Sequence, residues 1–348
     1  MRQIALSGKK RISRVGATAL AGCCSLFLGV AAALTASPAA AQILASNDAF
    51  DLSAVARTST RAGEIAPFRG LDVIRPADIV ANGGRLHPEA RPTATLSEVA
   101  ASRMERGTET IIGYDSRMRL HTSHYPNRAI VYIERNGQHH CTGFLISPDT
   151  VVTSAHCVHQ GRFGDFYPEA GFELFPGNDG TNARHGSCGA QTLFTVPEWA
   201  NSSAAEYDFA AIKLDCTIGN TTGWFGLYSL PGQQAFRNQS VIVPGYSGDK
   251  PQQQWGSAGR VLQSLEKFFC YRADTIGGNS GGPLLHDRDD GLAAEGQWAF
   301  GVHGYGVGGF GAPCGPAFRQ QNGGVRTTQD RIDNFFDVIR VADAPASD

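Results

Sequence analysis

The sequence predicts an all-β protein closed by one terminal helix, on three observations. Glycine supplies 42 of the 348 residues, about 12% against a usual ~7%, without the G-x-y period of collagen. Short apolar runs punctuated by turn residues recur from Ile111 onward. Helical spacing is confined to the end of the chain. Ile130-Val131-Tyr132-Ile133 and Thr142-Gly143-Phe144-Leu145-Ile146 flank Asn136-Gly137, the dipeptide favoured in two-residue hairpin turns. Pro148-Asp149 then turns the chain into Val151-Val152-Thr153. Further strands are expected from Phe209 to Leu214, Ser240 to Val243, Ala258 to Leu262 and Trp298 to Val302. Ile332, Phe335, Phe336 and Ile339 follow i, i+3, i+4, i+7 spacing, and Thr327 three residues before Asp330 predicts a capping box. Many short strands with one helix suit β-barrels or a sandwich.

Charged residues are 18% and apolar ones 42%, so a sizeable core can be buried. A formal charge of −2 leaves no basic footprint for nucleic acid. Arg2, Lys9, Lys10, Arg11 and Arg14 precede an apolar run from Val15 to Leu34 and then Ala39-Ala40-Ala41. That order predicts a signal peptide over 1–41, cut after Ala41, and a secreted or periplasmic protein. Leu20-Ala21-Gly22-Cys23 offers an alternative, lipidation at Cys23. With Cys23 and Cys24 removed, Cys141, Cys157, Cys188, Cys216, Cys270 and Cys314 remain. An even set in an exported chain reads as disulfides, with 15 pairings open. No C-x-x-C pair is present, so no metal site and no cofactor is expected. Residues 42–109 hold no cysteine and carry nine acidic and eight basic residues. They read as a loosely structured pro-segment ahead of a domain over 110–348.

Three motifs carry chemistry. Thr153-Ser154-Ala155-His156-Cys157 places a histidine directly after a strand, and Tyr207-Asp208-Phe209 places an aspartate at the mouth of one. Gly277-Gly278-Asn279-Ser280-Gly281-Gly282-Pro283 places a serine in a glycine-rich loop. A serine hydroxyl needs a neighbouring imidazole to take its proton, and the imidazole needs an acceptor to fix its tautomer. His156, Asp208 and Ser280 are therefore the candidate catalytic residues. The backbone N–H groups of Gly278 and Ser280 are the candidate oxyanion hole, because converging amides require bare backbone.

On these motifs the chain resembles the trypsin/chymotrypsin-like serine endopeptidases from about Ile111 to Ile339. The resemblance implies two packed antiparallel β-barrels with the active site between them. It also implies a Cys141–Cys157 bridge clasping the histidine loop; Cys188–Cys216 and Cys270–Cys314 follow as remaining partners, match no bridge placed from the family, and leave the pairing of those four open. Within that group the chain is most similar to bacterial glutamyl endopeptidases, through Ile112-Gly113-Tyr114-Asp115, Tyr125-Pro126-Asn127-Arg128-Ala129-Ile130-Val131, Cys141-Thr142-Gly143, Pro244-Gly245-Tyr246-Ser247-Gly248-Asp249-Lys250 and Asp274-Thr275-Ile276-Gly277-Gly278-Asn279-Ser280-Gly281. The resemblance implies cleavage after Glu, less often Asp, with Thr275 and His303 reading the substrate carboxylate. Gly304 and Gly306 would pair with the peptide backbone as an added strand. The expected partners are polypeptide substrates, with no nucleic acid and no membrane after signal cleavage, and the mature protein is expected to be a monomer.

Two alternatives stay open. Asp274, six residues before Ser280, matches the place where trypsin-like enzymes bind Arg or Lys. A protease-like binding protein without activity is the other. Asn279 stands where zymogens of the trypsin pattern carry the aspartate that pairs with a new amino terminus, so activation must differ. Glu109 precedes Thr110-Ile111-Ile112-Gly113, which matches the family's mature start and predicts cleavage after Glu109. From Thr110 onward 17 Lys and Arg face 23 Asp and Glu, a formal charge of −6. Recognition of Glu must then come from the pocket rather than from long-range steering.

Overall fold

Fifteen short strands and tight turns build the described part of the protein, whose structure is a computed structural model describing residues 43–47, 65–87, 110–286, 296–307, 313–314 and 320–341. The expected signal peptide, Cys23 and Glu109 lie outside the described residues. The first sheet contains β1 (Leu44–Ala45), β3 (Ile130–Arg135), β4 (Gln138–Leu145), β5 (Thr150–Thr153), β6 (Phe172–Pro176), β7 (Cys188–Thr195) and β8 (Ala210–Leu214). Its order is β1-β7-β6-β3-β4-β5-β8, and pairing of β7 with β8 closes six strands into a barrel. The second sheet adds β2 (Met118–Arg119), β9 (Gly226–Leu227), β10 (Ser240–Tyr246), β11 (Gln254–Ser264), β12 (Phe268–Arg272), β13 (Pro283–Leu285), β14 (Trp298–Tyr305) and β15 (Asn322–Arg326). Its order is β10-β13-β14-β15-β12-β11-β2, and pairing of β10 with β11 closes the second six-stranded barrel.

The predicted hairpin is present: Asn136 and Gly137 take φ of 54° and 73° between β3 and β4, as a type I′ turn requires. Closure buries β3 on both sides, so Ile130, Val131, Tyr132 and Ile133 read as a continuous apolar run rather than an alternating one. In the second barrel Phe236 stacks on Phe300 at 4.7 Å, and Phe269 meets Phe300 edge-on at 5.1 Å. Such aromatic pairs add about 0.5–1.5 kcal/mol each beyond the area they bury.

The terminal helix, Gln329–Val341, packs Ile332, Phe335 and Val338 into the core. The expected cap is displaced by one residue. The amides of Arg331 and Ile332 bond to the Thr328 carbonyl, making Thr328 the N-cap. The Thr327 hydroxyl instead donates to the Tyr228 carbonyl at 2.7 Å, because the barrel offers a buried acceptor. At the far end Lys213, from β8, donates to the Ile339 carbonyl at 3.3 Å and pairs with Asp149 at 2.8 Å. A buried cation thus meets the negative end of the helix dipole. Among the described residues no helix is long and apolar enough to cross a membrane.

Residues 65–87 depart from a loosely structured linker. They form a helix at Pro76–Ala81 and make isolated bridges to Trp224, Leu227 and Ser187. The apolar side chains that drive this, Ile65 and Ile79, are too widely spaced for a sequence pattern to betray them. All three disulfides join the expected partners: Cys141–Cys157, Cys188–Cys216 and Cys270–Cys314. The first clamps the turn carrying His156 onto β4. Replacing Cys141 and Cys157 together by Ser should lower unfolding stability by about 3 kcal/mol, the loop-closure value for a span of this length. Denaturant titration of the double variant checks this.

Candidate active site

Asp208 follows a turn of 3₁₀ helix, Ala205–Tyr207, and precedes β8. Its side chain has no solvent exposure. The His156 backbone N–H donates to its Oδ1 at 2.8 Å, and His156 Nδ1 bonds to its Oδ2 at 2.7 Å. Both ring position and tautomer of His156 are thereby fixed, with Nδ1 as the protonated nitrogen. His156 itself lies in the single turn Ala155–Cys157 after β5, with its side chain 17% exposed.

Ser280 sits in the loop between β12 and β13, 7% exposed. Thr142 of β4 anchors that loop to the other barrel. The Thr142 N–H donates to the Ser280 carbonyl at 2.8 Å, and the Thr142 hydroxyl donates to the Gly278 carbonyl at 2.8 Å. Asn279 turns away from the site, its Oδ1 accepting from the Ser247 hydroxyl at 2.5 Å. Gly278 holds φ +104°, and a Cβ there would lie 2.4 Å from His139 Cε1 and 2.8 Å from the Tyr246 carbonyl. The loop conformation at this position therefore admits only glycine.

Two of the expected specificity residues, Thr275 and His303, are fully buried. His303 is fully buried in β14, its Nδ1 sharing a hydrogen bond with the Tyr271 hydroxyl. Its carbonyl accepts from the Gly281 N–H at 2.7 Å and from the Ser154 hydroxyl at 2.9 Å, linking the serine loop to the histidine turn. Thr275 is fully buried and its hydroxyl has no partner among the described residues. Gly304 is the bulged residue of β14, and a Cβ on it would sit 3.2 Å from Asp208 Oδ2. Gly306 follows the end of that strand. Asp274 is spoken for: its carboxylate accepts from the Ile112 N–H at 2.7 Å, the Ser116 N–H at 2.8 Å and the Ser116 hydroxyl at 2.6 Å.

Residues 141–293 match the family model of the trypsin-like peptidase domain. A glutamyl endopeptidase of Bacillus licheniformis is 35% identical over 230 residues, covering 65% of this chain and 68% of that protein. The chain belongs to the trypsin-like serine endopeptidase family. A Bacillus subtilis protein named extracellular metalloprotease is 32% identical over 233 residues, covering 65% of this chain and 68% of that protein. The solved structure of a Glu endopeptidase in complex with MPD superposes with TM-score 0.55 at 29% identity, over 66% of this chain and 99% of that one.

The endopeptidase site contains two contributions that motif reading missed. Tyr305 packs its ring 6.3 Å from that of His156, near enough to the Asp208 carboxylate to feel its charge. Burial and that carboxylate push the phenol well above its ordinary value, so it remains a donor. Gly304 is the only sequence clue, since the bulge that aims Tyr305 inward is a tertiary feature. Thr142 was visible within Cys141-Thr142-Gly143 but carries no reactive group. The groups of His, Cys and Asp atoms within 4.8 Å of one another, among the described residues, are Cys141-His156-Cys157 and Cys188-Asp215-Cys216. Their sulfurs are consumed in disulfides, so neither group offers a thiolate to a metal.

His139, stacked on Tyr132 at 4.6 Å, supports Gly278 from below, and burial pushes its imidazole from 6.5 down to about 4. Burial also pushes His185 down to about 4. In both cases the unfolded state binds the proton more readily. Their contribution is complete above pH 6.5 and is lost as pH falls through the window from 6.5 to 4. Urea unfolding across that window should show stability declining, with up to two protons taken up on unfolding. His139→Gln should flatten the decline.

Proposed function

We propose that the chain is an exported zymogen of a serine endopeptidase that cleaves after Glu and, less readily, Asp. Ser280 is the nucleophile. His156 Nε2 takes its proton as the hydroxyl oxygen attacks the scissile carbonyl, and the Gly278 and Ser280 amides hold the resulting oxyanion. The imidazolium is stabilised by Asp208 and then protonates the departing amine, releasing the first product and leaving an acyl-enzyme. Water, deprotonated by His156, repeats the cycle and frees Ser280. The Asp208–His156 contact at 2.7 Å supports this assignment. Export is supported by the leader pattern and by three disulfides.

The observation that carries the specificity is the engagement of Asp274. With three donors from Ile112 and Ser116 on its carboxylate, it is not available to a substrate Arg or Lys. An imidazole and a hydroxyl, His303 and Thr275, can instead receive a substrate carboxylate without burying a permanent charge. Cleavage-site profiling on a denatured protein should return Glu, then Asp, at the residue before the cut. Arg or Lys there would reject the pocket assignment. In the same assay Ser280→Ala should lower turnover by about 10⁴-fold or more, and His303→Ala should cut kcat/KM for Glu substrates by about 100-fold.

Maturation after Glu109 is the companion proposal. Thr110 lies beside the pocket residues, its carbonyl accepting from Asn322 Nδ2 at 3.0 Å. Ile112 and Ser116 hold Asp274 as described. The new amino terminus would thus take the place that an ion pair at position 279 takes in the trypsin pattern. Mass-spectrometric reading of the mature terminus should give Thr110, and a start beyond Ser116 contradicts the proposal.

A further inference from the structure

Residues 65–87 are laid across the enzyme domain as though they were part of it. The amides and carbonyls of Ile65 and Leu227 exchange bonds at 3.2 and 2.8 Å, and those of Phe68 and Trp224 at 3.0 and 2.8 Å. Arg85 and Ser187 do the same at 2.8 and 3.0 Å. Ile65 and Ile79 are 4% and 2% exposed and belong to the same apolar cluster as the first barrel. The Phe68 ring lies 4.5 Å from that of Trp224, whose indole N–H donates to the Ala66 carbonyl at 2.9 Å.

The surface beneath is shaped for this segment. Gly223 holds φ +79°, and a Cβ there would fall 2.4 Å from the Phe68 carbonyl; one on Gly226 would fall 2.7 Å from the Ile65 carbonyl. Arg128, 4% exposed, places Nη2 on the Arg69 carbonyl at 2.7 Å and Nε on the Thr222 carbonyl at 3.0 Å. Asp72 of the segment supplies an opposing charge. Without the segment, Arg128 would lose an acceptor and a counter-charge while remaining inside the fold. Farther upstream, Leu44 and Ala45 pair with Thr195 and Phe194 as an edge strand on β7. No cysteine occurs between 42 and 109, so nothing covalent would hold the segment after a cut.

We propose that the face formed by Ser187, Thr221, Trp224 and Leu227 is a docking surface for the chain's own residues 65–87, which stay bound as a second, non-covalent chain after the connection to Thr110 is severed. The segment acts as a permanent strap of the folded enzyme rather than a released pro-piece. The enzyme is then a two-chain protein whose light chain bridges Ser187 beside β7 to Trp224 and to Leu227 of β9. The proposal goes beyond the catalytic assignment and does not depend on it.

The test uses the full chain with Ser280→Ala, which removes self-cleavage, and a recognition sequence for a site-specific protease inserted between Ala90 and Arg91. After complete cutting, verified under denaturing conditions, the protein is passed over a size-exclusion column and the peak is weighed by mass spectrometry. The expected result is both fragments in equal amount in one peak, separating only in denaturant. Elution of a folded heavy chain without the light chain overturns the proposal. The same cleavable protein carrying Ile79→Asp, which buries a charge in the docked face, should retain about tenfold less light chain while the heavy chain keeps its circular dichroism. Retention equal to that of the parent overturns the assigned contact. If Ile79→Asp does not fold before cutting, while the parent retains its light chain, the strap is shown to be part of the fold, which upholds the proposal. Catalysis enters none of these readouts, so a failure here leaves the endopeptidase mechanism untouched.

Discussion

A carboxylate with no solvent exposure sits where the two barrels meet, and much of the molecule is arranged around keeping Asp208 satisfied. An ionised group removed from water must be compensated by close donors. The donors are the backbone and ring of His156, after β5 of the first barrel. The second barrel approaches the same carboxylate through β14, where a Cβ on Gly304 would lie 3.2 Å from Asp208 Oδ2, so the docking register of the barrels sets this contact. That register also delivers the Gly281 N–H and the Ser154 hydroxyl to the same His303 carbonyl, so the serine loop and the histidine turn are positioned together. Thr142 reinforces the same junction from β4.

The second charged residue near the site, Asp274, illustrates how partners rather than residue type decide a role. An aspartate six residues before a nucleophilic serine could bind a cationic side chain. Here it is buried and its oxygens are filled by Ile112 and Ser116. The carboxylate becomes a fastening for the residues that follow the expected maturation cut. Nearby in sequence Thr275 is fully buried, and Tyr271 bonds to the buried His303 ring, fixing its orientation.

Much of the architecture was legible in the residues. Asn136-Gly137 specified a turn because two consecutive positive φ angles suit few dipeptides. Ile332 and Phe335 marked the terminal helix by their spacing. The family resemblance placed Cys141–Cys157, whereas the pairing of the other four cysteines stayed open until the fold brought Cys188 to Cys216 and Cys270 to Cys314. What escaped has a common cause. Thr327 lost its capping role because Tyr228, distant in sequence, offered a buried acceptor. Tyr305 was inconspicuous until a bulge in β14 preceded it and its ring came beside that of His156, and Val338 joined the helix face although the motif did not require it. Ile65 and Ile79 lie in a stretch without periodicity, and each is met by a residue distant in sequence: Leu227 pairs with Ile65, and Gly186 lies against Ile79.

By itself the sequence determined the all-β class, the order of His156, Asp208 and Ser280, and the bare backbone at Gly278, since these follow from local geometry and from chemistry that few residue types can perform. Only the tertiary structure decided what Asp274 binds, that Tyr305 packs beside His156, and that residues 65–87 belong with the enzyme domain. Each of those outcomes turns on which donor or apolar surface arrives from far along the chain. A buried polar group takes whichever partner the packing brings within about 3 Å, and no local pattern announces that partner in advance.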